Sequence, residues 1–330
     1  MNQSMHKGAD NIAVRGLKYI VRDQRLVLLL LIIVLSIIIG SINPRFLTLN
    51  NIIMILQQVS ILGVITLGMA MLMLSKGLDL SVGNIMILSG CTIAVLIERN
   101  PDHPAIVPIA VVVGLAVGTL AGTINGIIIS KSRCMPLIVS LGMSGIYFGA
   151  ALLVSNGNFM SFNREFDPLR VFRLGGVIPG VMLIFLLLVL VCFVLINYTK
   201  FGRRIVAIGG NEENARLSGI NVDRHKIAIY AISGLLCGIA SILLAARLDS
   251  ITAAAGAGHE LNALTASIIG GITFDGGRGS ILGAFLGVLF MGLIANGMNI
   301  LGIASSIQNI VSGVIVVVAV VISNINNIRK

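Results

Sequence analysis

The chain has 330 residues, of which 56% are hydrophobic and only 11% are charged, and its mean hydropathy is +1.01. A soluble protein needs about 25% charged residues, so this composition excludes a soluble globular protein and indicates a polytopic α-helical membrane protein. The formal net charge of +10 does not indicate a nucleic-acid partner, because loop Lys and Arg residues set orientation and meet lipid headgroups. The cysteines have no metal-binding spacing, and we expect free thiols at Cys91, Cys134, Cys192 and Cys237.

Ten apolar segments predict ten membrane-spanning helices. The first begins at Leu26 after a basic segment, has no convincing signal-peptide cleavage site and is interpreted as a retained helix. The segments at 84–97 and 261–272 are shorter than the roughly 20 residues of a straight span, so we expect them to be extended, tilted or broken. The fold class is therefore an all-α polytopic membrane protein. The predicted spans are 26–42, 52–74, 84–97, 105–129, 136–154, 178–196, 227–245, 261–272, 281–298 and 305–323.

The basic residues predict the side of the membrane on which each loop lies. With a cytoplasmic N-terminus, all but six of the 23 Lys and Arg residues fall on the cytoplasmic side. Cytoplasmic tails at 1–25 and 326–330 would then flank a transmembrane domain at 26–325, whose two halves of five spans must be inverted relative to each other. The outer loop at 155–177 is longer than a connection requires and is a candidate docking surface for a soluble partner. The six basic residues left outside are Arg45, Arg99, Arg164, Arg170, Arg173 and Arg247.

The inner loop at 199–226 is the longest charged passage between two spans. Within it, Asn211 followed by Glu212 and Glu213 is typical of a helix start, and Gly219 is typical of a helix stop. The pattern predicts a surface helix of about two turns, which is too short to be stable unless it packs against something. A solvated basic loop is the alternative interpretation.

The GLDLSVG segment at 77–83 joins the second and third spans. Asp79 and Ser81 are suited to cap the start of the third span, and Gly83 allows close helix approach. A carboxylate near the membrane is costly unless it is capped, paired or hydrated, so direct contact of Asp79 with a solute or ion is the alternative.

Glycines mark two connections near the eighth span. The GGITFDGGRGS segment has no strand before it and no G-x-x-x-x-G-K-[ST] pattern, so it is not a phosphate-binding loop. It predicts a tight inner turn with Asp275 and Arg278 near helix ends. Residues 253–258, upstream of His259 and Glu260, predict a flexible entry to a short or re-entrant span.

Small and polar residues within the spans indicate how the helices pack. Glycines at every fourth position from Gly114 to Gly126, and again at Gly283 and Gly287, predict close helix approach. The polar side chains are nearly all neutral, so a path that they line suits an uncharged, hydroxyl-rich solute better than an ion. Interhelical hydrogen bonding is the alternative for most of them. The polar residues considered are Gln57, Gln58, Ser60, Thr66, Asn125, Ser140, Ser144, Asn296 and Asn299.

Five strings in order carry a resemblance that covers residues 26–325: INPRFLTLNN, GLDLSVG, CMPLIVSLGM, TKFGRRIVAIGGNEENARLSGINV and GGITFDGGRGSILGAFLG. Together they resemble the ribose-type permease subunits of bacterial ABC sugar importers, which are relatives of the branched-chain amino-acid permeases. The resemblance implies ten helices in the bacterial inner membrane and a dimer with a second permease copy or paralogue. It also implies a cytoplasmic ABC ATPase and a periplasmic sugar-binding protein as partners. The coupling residues carried over are Asn211, Glu212, Ala215, Arg216 and Gly219.

The resemblance implies a transport subunit without catalytic residues or cofactors, in which a separate subunit binds and hydrolyses ATP. A branched-chain amino-acid permease is the alternative within this class. A stand-alone secondary transporter would need charged relay groups or an ion site at mid-membrane, and the spans carry neither. The solute is left open among ribose, other pentoses, hexoses, deoxysugars, inositols and furanose signalling molecules. Beside the coupling residues, the candidate structural or pathway residues are Asp79, Ser81, Gly83, Asp275, Arg278, Asn125 and Asn296.

Overall fold

The computed structural model describes residues 24–328, with side chains described to residue 321, and consists almost entirely of helices. Most of the predicted N-terminal tail and the last two basic residues lie outside the described residues. The helices are α1 (Gln24–Ile42), α2 (Leu49–Leu74), α3 (Val82–Arg99), α4 (Ile106–Ser132), α5 (Pro136–Ser155), α6 (Asp167–Val171), α7 (Gly180–Tyr198), α8 (Lys200–Gly210), α9 (Glu212–Leu217), α10 (Val222–Leu248), α11 (His259–Ile269), α12 (Ile281–Ile300) and α13 (Ser305–Ile328).

Within the described residues, eight helices are long and apolar enough to cross a membrane: α1 to α5, α7, α10 and α12. The stretch Ser305–Val321 of α13 is a shorter apolar helix, and α11 is a helix of 11 residues that begins with polar side chains. Each predicted span coincides with one of these ten, so the predicted polytopic all-α fold is confirmed. The span predicted at 84–97 is an 18-residue helix, because α3 also includes polar end residues such as Glu98 and Arg99.

The helices divide into an inner and an outer group. In α2, 67% of the apolar stretch is buried inside the chain, against 17% in α1. The outer helices α1, α4 and α5 expose Leu, Ile and Val side chains, as at Ile138 and Leu153. Such surfaces are expected of helices that face lipid, because lipid tails are as apolar as the side chains.

Glycines allow the inner helices to touch at the backbone. A Cβ atom on Gly122 of α4 would lie 2.2 Å from the carbonyl oxygen of Tyr230 in α10. In the second half, a Cβ atom on Gly287 of α12 would lie 2.0 Å from the carbonyl oxygen of Ala266 in α11. The packing role predicted for both glycine strips is confirmed.

The two ends of the bundle carry different loops. At one end, called here the α9 end, the 270–280 turn contacts the end of α2, and Gly277 N–H donates to the carbonyl of Leu74 at 2.9 Å. At the opposite, far end, residues 156–179 form a small ordered cap that is tied to Asp249 after α10. The antiparallel strand pairs of this cap are β1 (Met160–Ser161) with β4 (Ser250–Ile251), and β2 (Arg173–Leu174) with β3 (Ile178–Pro179).

Two connections enter the bundle. Residues 75–81 follow α2 and lead into the interior, where Asp79 is fully buried before α3 begins. Residues 249–258 enter from the far end and run along α3, with Gly256 against Gly83, before α11 begins. The packing pairs α3–α4 and α3–α5 have counterparts in α11–α12 and α11–α13. This correspondence is what an inverted repeat of five plus five spans produces.

Candidate functional site

The short helix α9 forms at the surface for local reasons that the sequence carries. Asn211 Oδ1 accepts a hydrogen bond from the backbone N–H of Asn214 at 2.9 Å and caps the helix start. Gly219, with φ of +79°, ends it. Ala215 is buried against Ile208 of α8. The predicted start and stop are therefore confirmed, and the packing that so short a helix needs comes from Ala215.

An ion-pair network joins α9 to the first turns of α10. Arg216 Nη2 lies 3.1 Å from Glu212 Oε1 and 2.8 Å from Asp223 Oδ1, and Lys226 Nζ lies 2.6 Å from Glu212 Oε2. Single exposed ion pairs stabilise little, whereas several charges in one network with good geometry hold an element in place. Glu212 and Arg216, carried over as coupling residues, thus anchor α9 to the first turns of α10.

The network predicts an acid-sensitive anchor. Partial burial raises the pKa of Glu212, but hydrogen bonds from Lys226 and Arg216 and their positive charges outweigh it, so its pKa lies below the ordinary 4.5. A carboxyl group with a lowered pKa in the folded state stabilises above its unfolded pKa, and this contribution is lost as the pH falls through the folded value. We expect hydrogen-exchange protection of α9 to be constant near neutral pH and to fall below about pH 4.5.

Amide hydrogen exchange, measured as protection factors across pH, checks this expectation. Glu212→Gln should flatten the acid-dependent loss, and Glu98→Gln at the exposed end of α3 is the matched control and should not. An acid response that is the same in Glu212→Gln and in the wild type would contradict the assignment.

The outward face of α9 carries a feature that the sequence analysis missed. Leu217 is 82% exposed, the highest value among the large hydrophobic side chains that the structure describes. It is the last residue of α9 and lies between the exposed polar residues Arg216 and Ser218. The sequence was interpreted through the charges and helix caps of this loop, and neither of these identifies an exposed leucine on a polar surface helix.

A buried polar network holds the start of α3. Asp79 Oδ1 accepts from the backbone N–H of Ser81 at 2.8 Å and from its hydroxyl at 2.5 Å, and Asn125 Nδ2 donates to Asp79 Oδ2 at 3.1 Å. Tyr147 OH donates to Asn125 Oδ1 at 2.9 Å. The network thereby joins α3, α4 and α5. Ser81 precedes α3, but its hydroxyl binds Asp79 and not the helix N–H groups, which differs from the expected cap.

The other candidate pathway amide is also engaged in packing. Asn296 of α12 and Asn51 of α2 exchange reciprocal amide hydrogen bonds of 2.9 and 3.0 Å and are both buried. Gly83 contacts Gly256, whose carbonyl oxygen would lie 2.5 Å from an added Cβ. None of these side chains lines the interior cavity described below.

The glycine-rich connection between α11 and α12 is a tight turn, as predicted. Thr273 N–H donates to the carbonyl of Arg278 at 3.2 Å, and Gly276 and Gly277 have φ of +77° and +68°. Asp275 and Arg278 are exposed at the α9 end. Positive φ at consecutive positions explains why this turn needs glycine.

A cavity of about 270 Å³, called here the interior cavity, lies between α2, α10, α11, α12 and α13. Gln58 lies nine residues into α2, about 14 Å along the helix from its start at the far end, and Arg247 lies in the last turn of α10, so the cavity lies toward the far end of the bundle. Its walls are largely apolar, with Ile61, Leu244 and Met291 among them. The polar residues that line it are Gln58, Arg247, His259, Asn262 and Ser312.

Sequence reasoning missed most of this polar set. Arg247 was assigned to an outer loop, yet it is in the last turn of α10 and half-buried. Arg247 lies two residues after the predicted span at 227–245, and an arginine so close to the end of an apolar span is a sequence feature that could have identified it as a candidate. His259 and Asn262 come together with it only because residues 249–258 fold back into the bundle.

The comparison with protein families decides the class of this chain. Residues 51–320 match the model of the family described as "Branched-chain amino acid transport system / permease component". The chain belongs to this permease family. The predicted multi-pass membrane protein and its family are thereby confirmed, and the permease described here is a transport component.

Individual relatives of the permease cover almost its whole length. It is 41% identical over 293 residues to the ribose import permease protein of Bacillus subtilis (strain 168), covering 88% of this chain and 89% of that protein. It is 35% identical to the ribose import permease protein of Escherichia coli (strain K12), covering 90% and 92%. It is 34% identical to the fructose import permease protein of Rhizobium meliloti, covering 90% and 83%. No solved structure matches it.

Proposed function

We propose that this permease is the transmembrane subunit of an ATP-driven bacterial sugar importer and forms the path of the solute. The observation that carries the proposal is the similarity, over 87–91% of the chain, to permeases whose names specify ribose, D-allose, fructose and galactose. The interior cavity, with amide and other hydrogen-bonding groups on apolar walls, suits a hydroxyl-rich solute of this kind.

The proposal includes an orientation and three partners. The α9 end faces the cytoplasm, because the basic loop at 199–226 lies there and cytoplasmic loops are enriched in Lys and Arg. A separate ABC ATPase binds and hydrolyses ATP at this end. A sugar-binding protein docks on the periplasmic cap at 156–179, and a second permease copy or paralogue completes the transporter.

Import of branched-chain amino acids is the competing function, since the family description names it. A zwitterionic amino acid carries an ammonium group, which in a low-dielectric site needs a carboxylate or several oxygen acceptors. No Asp or Glu is among the described residues that line the interior cavity. This composition favours a sugar.

Uptake by the reconstituted complex tests the function. The permease, its ATPase and its binding protein are placed in liposomes, and radiolabelled D-ribose, D-allose, D-fructose, D-galactose and L-leucine are offered with and without ATP. We expect ATP-dependent uptake of at least one sugar and none of leucine. Uptake of leucine alone, or gradient-driven sugar uptake by the permease without its partners, would overturn the proposal.

The coupling role of α9 is tested with two variants, one in its outward face at Leu217 and one in its ion-pair anchor at Glu212. We expect Leu217→Ser to weaken association with the ATPase about tenfold, as for the lost burial of one leucine, and Glu212→Arg to keep association but lose solute-stimulated ATP hydrolysis. Leu174→Ser on the far end is the matched control for association. Wild-type association in Leu217→Ser together with wild-type stimulation in Glu212→Arg would remove the coupling assignment.

A further inference from the structure

The interior cavity presents hydrogen-bonding groups that the permease itself does not use. Nδ1 of His259 is buried without a hydrogen-bond partner, and the guanidinium of Arg247 makes no salt bridge within the described residues. The side-chain amides of Gln58 and Asn262 likewise have no partner there. Unpaired polar groups inside a bundle are unfavourable unless water or a ligand satisfies them.

The volume of the cavity limits the size of the solute that it can hold. A volume of 270 Å³ holds on the order of nine water molecules and lies just below the range of pockets for drug-sized ligands. A monosaccharide therefore fits within this volume. The apolar walls at Leu244 and Met291 suit the C–H faces of a sugar ring.

The charges around the cavity determine which kinds of solute it favours. Arg247 supplies a fixed positive charge, and His259 is the first residue of α11, whose N-terminal end is positive. No acidic residue among those described lines the cavity. The lining therefore offers mainly donors, which disfavours cations and favours a solute whose oxygens accept hydrogen bonds.

We propose that the interior cavity is a transit site for a neutral monosaccharide, in which Arg247, His259 and Asn262 hydrogen-bond to its hydroxyl groups on the way through the permease. This inference rests on the proposed function and assigns residues of the chain to its path. Because Arg247 lies on α10 and His259 and Asn262 lie on the short helix α11, any movement of α11 relative to α10 changes the site. Such a site holds the sugar in one state of the bundle and releases it in another.

The first test measures import by the reconstituted complex. Arg247→Met and His259→Leu remove the polar groups but keep the bulk, and Arg99→Met, at the exposed end of α3, is the matched control. We expect about tenfold slower uptake, in the two cavity variants, of the sugar that the wild-type complex imports, because each variant loses a hydrogen bond to it, while binding-protein-stimulated ATP hydrolysis persists. Wild-type uptake rates in both cavity variants would overturn the transit site. Absence of uptake of D-ribose, D-allose, D-fructose and D-galactose by the wild-type complex would overturn the proposed function instead.

The second test needs no transport. In a Cys134→Ser background, which removes the exposed native thiol, Gln58→Cys places a thiol in the cavity wall, and Gln57→Cys is the neighbouring control that does not line the cavity. We expect D-ribose to slow labelling of the Gln58→Cys variant by a small thiol reagent and to leave the Gln57→Cys variant unchanged. Equal labelling with and without sugar, or stronger protection by the anion D-ribonate than by D-ribose, would overturn the assignment of a neutral monosaccharide.

Discussion

Gly122→Val is expected to abolish the correctly folded permease. The added Cβ would lie 2.2 Å from the backbone carbonyl of Tyr230, a distance that real side chains do not show. A backbone atom of a packed helix cannot rotate away, so α4 and α10 must separate along their whole crossing. Overpacking of a core typically costs about 1–3 kcal/mol, and we expect a loss above this range because several glycines share the contact.

Monodisperse protein after detergent extraction and the midpoint of thermal unfolding measure this effect. Gly122→Ala should be intermediate, since it adds the clashing atom without the branches. Gly145→Ala in α5 is the matched control, because no atom lies within 4 Å of its added Cβ. A normally folded Gly122→Val variant would show that the close crossing of α4 and α10 is not needed.

Asp79→Ala is expected to destabilise the permease by on the order of 3 kcal/mol. The change removes the acceptor for the Ser81 hydroxyl and backbone N–H and for the Asn125 amide, and all three donors are buried. Buried donors without a partner cost about 1–3 kcal/mol each, with partial relief from rearrangement. Asp79→Asn, which keeps one amide oxygen as an acceptor, should lose less.

Thermal unfolding in detergent checks the Asp79 prediction, with Asp102→Ala in an exposed turn as the control. The alternative, in which Asp79 contacts a solute or ion, predicts a different pattern. Normal stability of Asp79→Ala combined with lost transport would favour that alternative over a structural role.

The positions of the helices followed from composition, because a bilayer requires long apolar segments whose backbone groups are satisfied internally. Ten of these segments were found within a few residues of their observed ends. Capping chemistry also predicted α9, since Asn211 and Gly219 act on their immediate neighbours. Properties that depend on adjacent residues or on the summed hydropathy of a segment could therefore be predicted from the sequence.

The sequence did not predict, in the same way, which neighbour each polar side chain contacts. Asn125 and Asn296 were candidates for a pathway, and the structure places both in buried hydrogen-bond pairs that join helices. Glu212 and Arg216 were carried over as coupling residues, and the structure places them in an anchor for α9. A helix that is apolar on every side has no polar face, so its hydropathy pattern does not indicate which side faces the bundle. The contacts of a polar residue on such a helix therefore cannot be predicted from the pattern.

By itself, the sequence determined an all-α polytopic membrane protein with a short capped helix on one surface, because spans, caps and turns depend on local chemistry, and its motifs indicated the permease family by resemblance. Only the tertiary structure decided that Arg247, His259 and Asn262 line one cavity and that Leu217 is a large apolar side chain exposed on α9. The cavity depends on the connection at 249–258, which folds back into the bundle, and the exposure of Leu217 depends on the packing of Ala215 against Ile208. The physical reason is that both arrangements depend on packing between residues that are not neighbours in the chain. Glycine contacts and buried hydrogen bonds hold this packing in place.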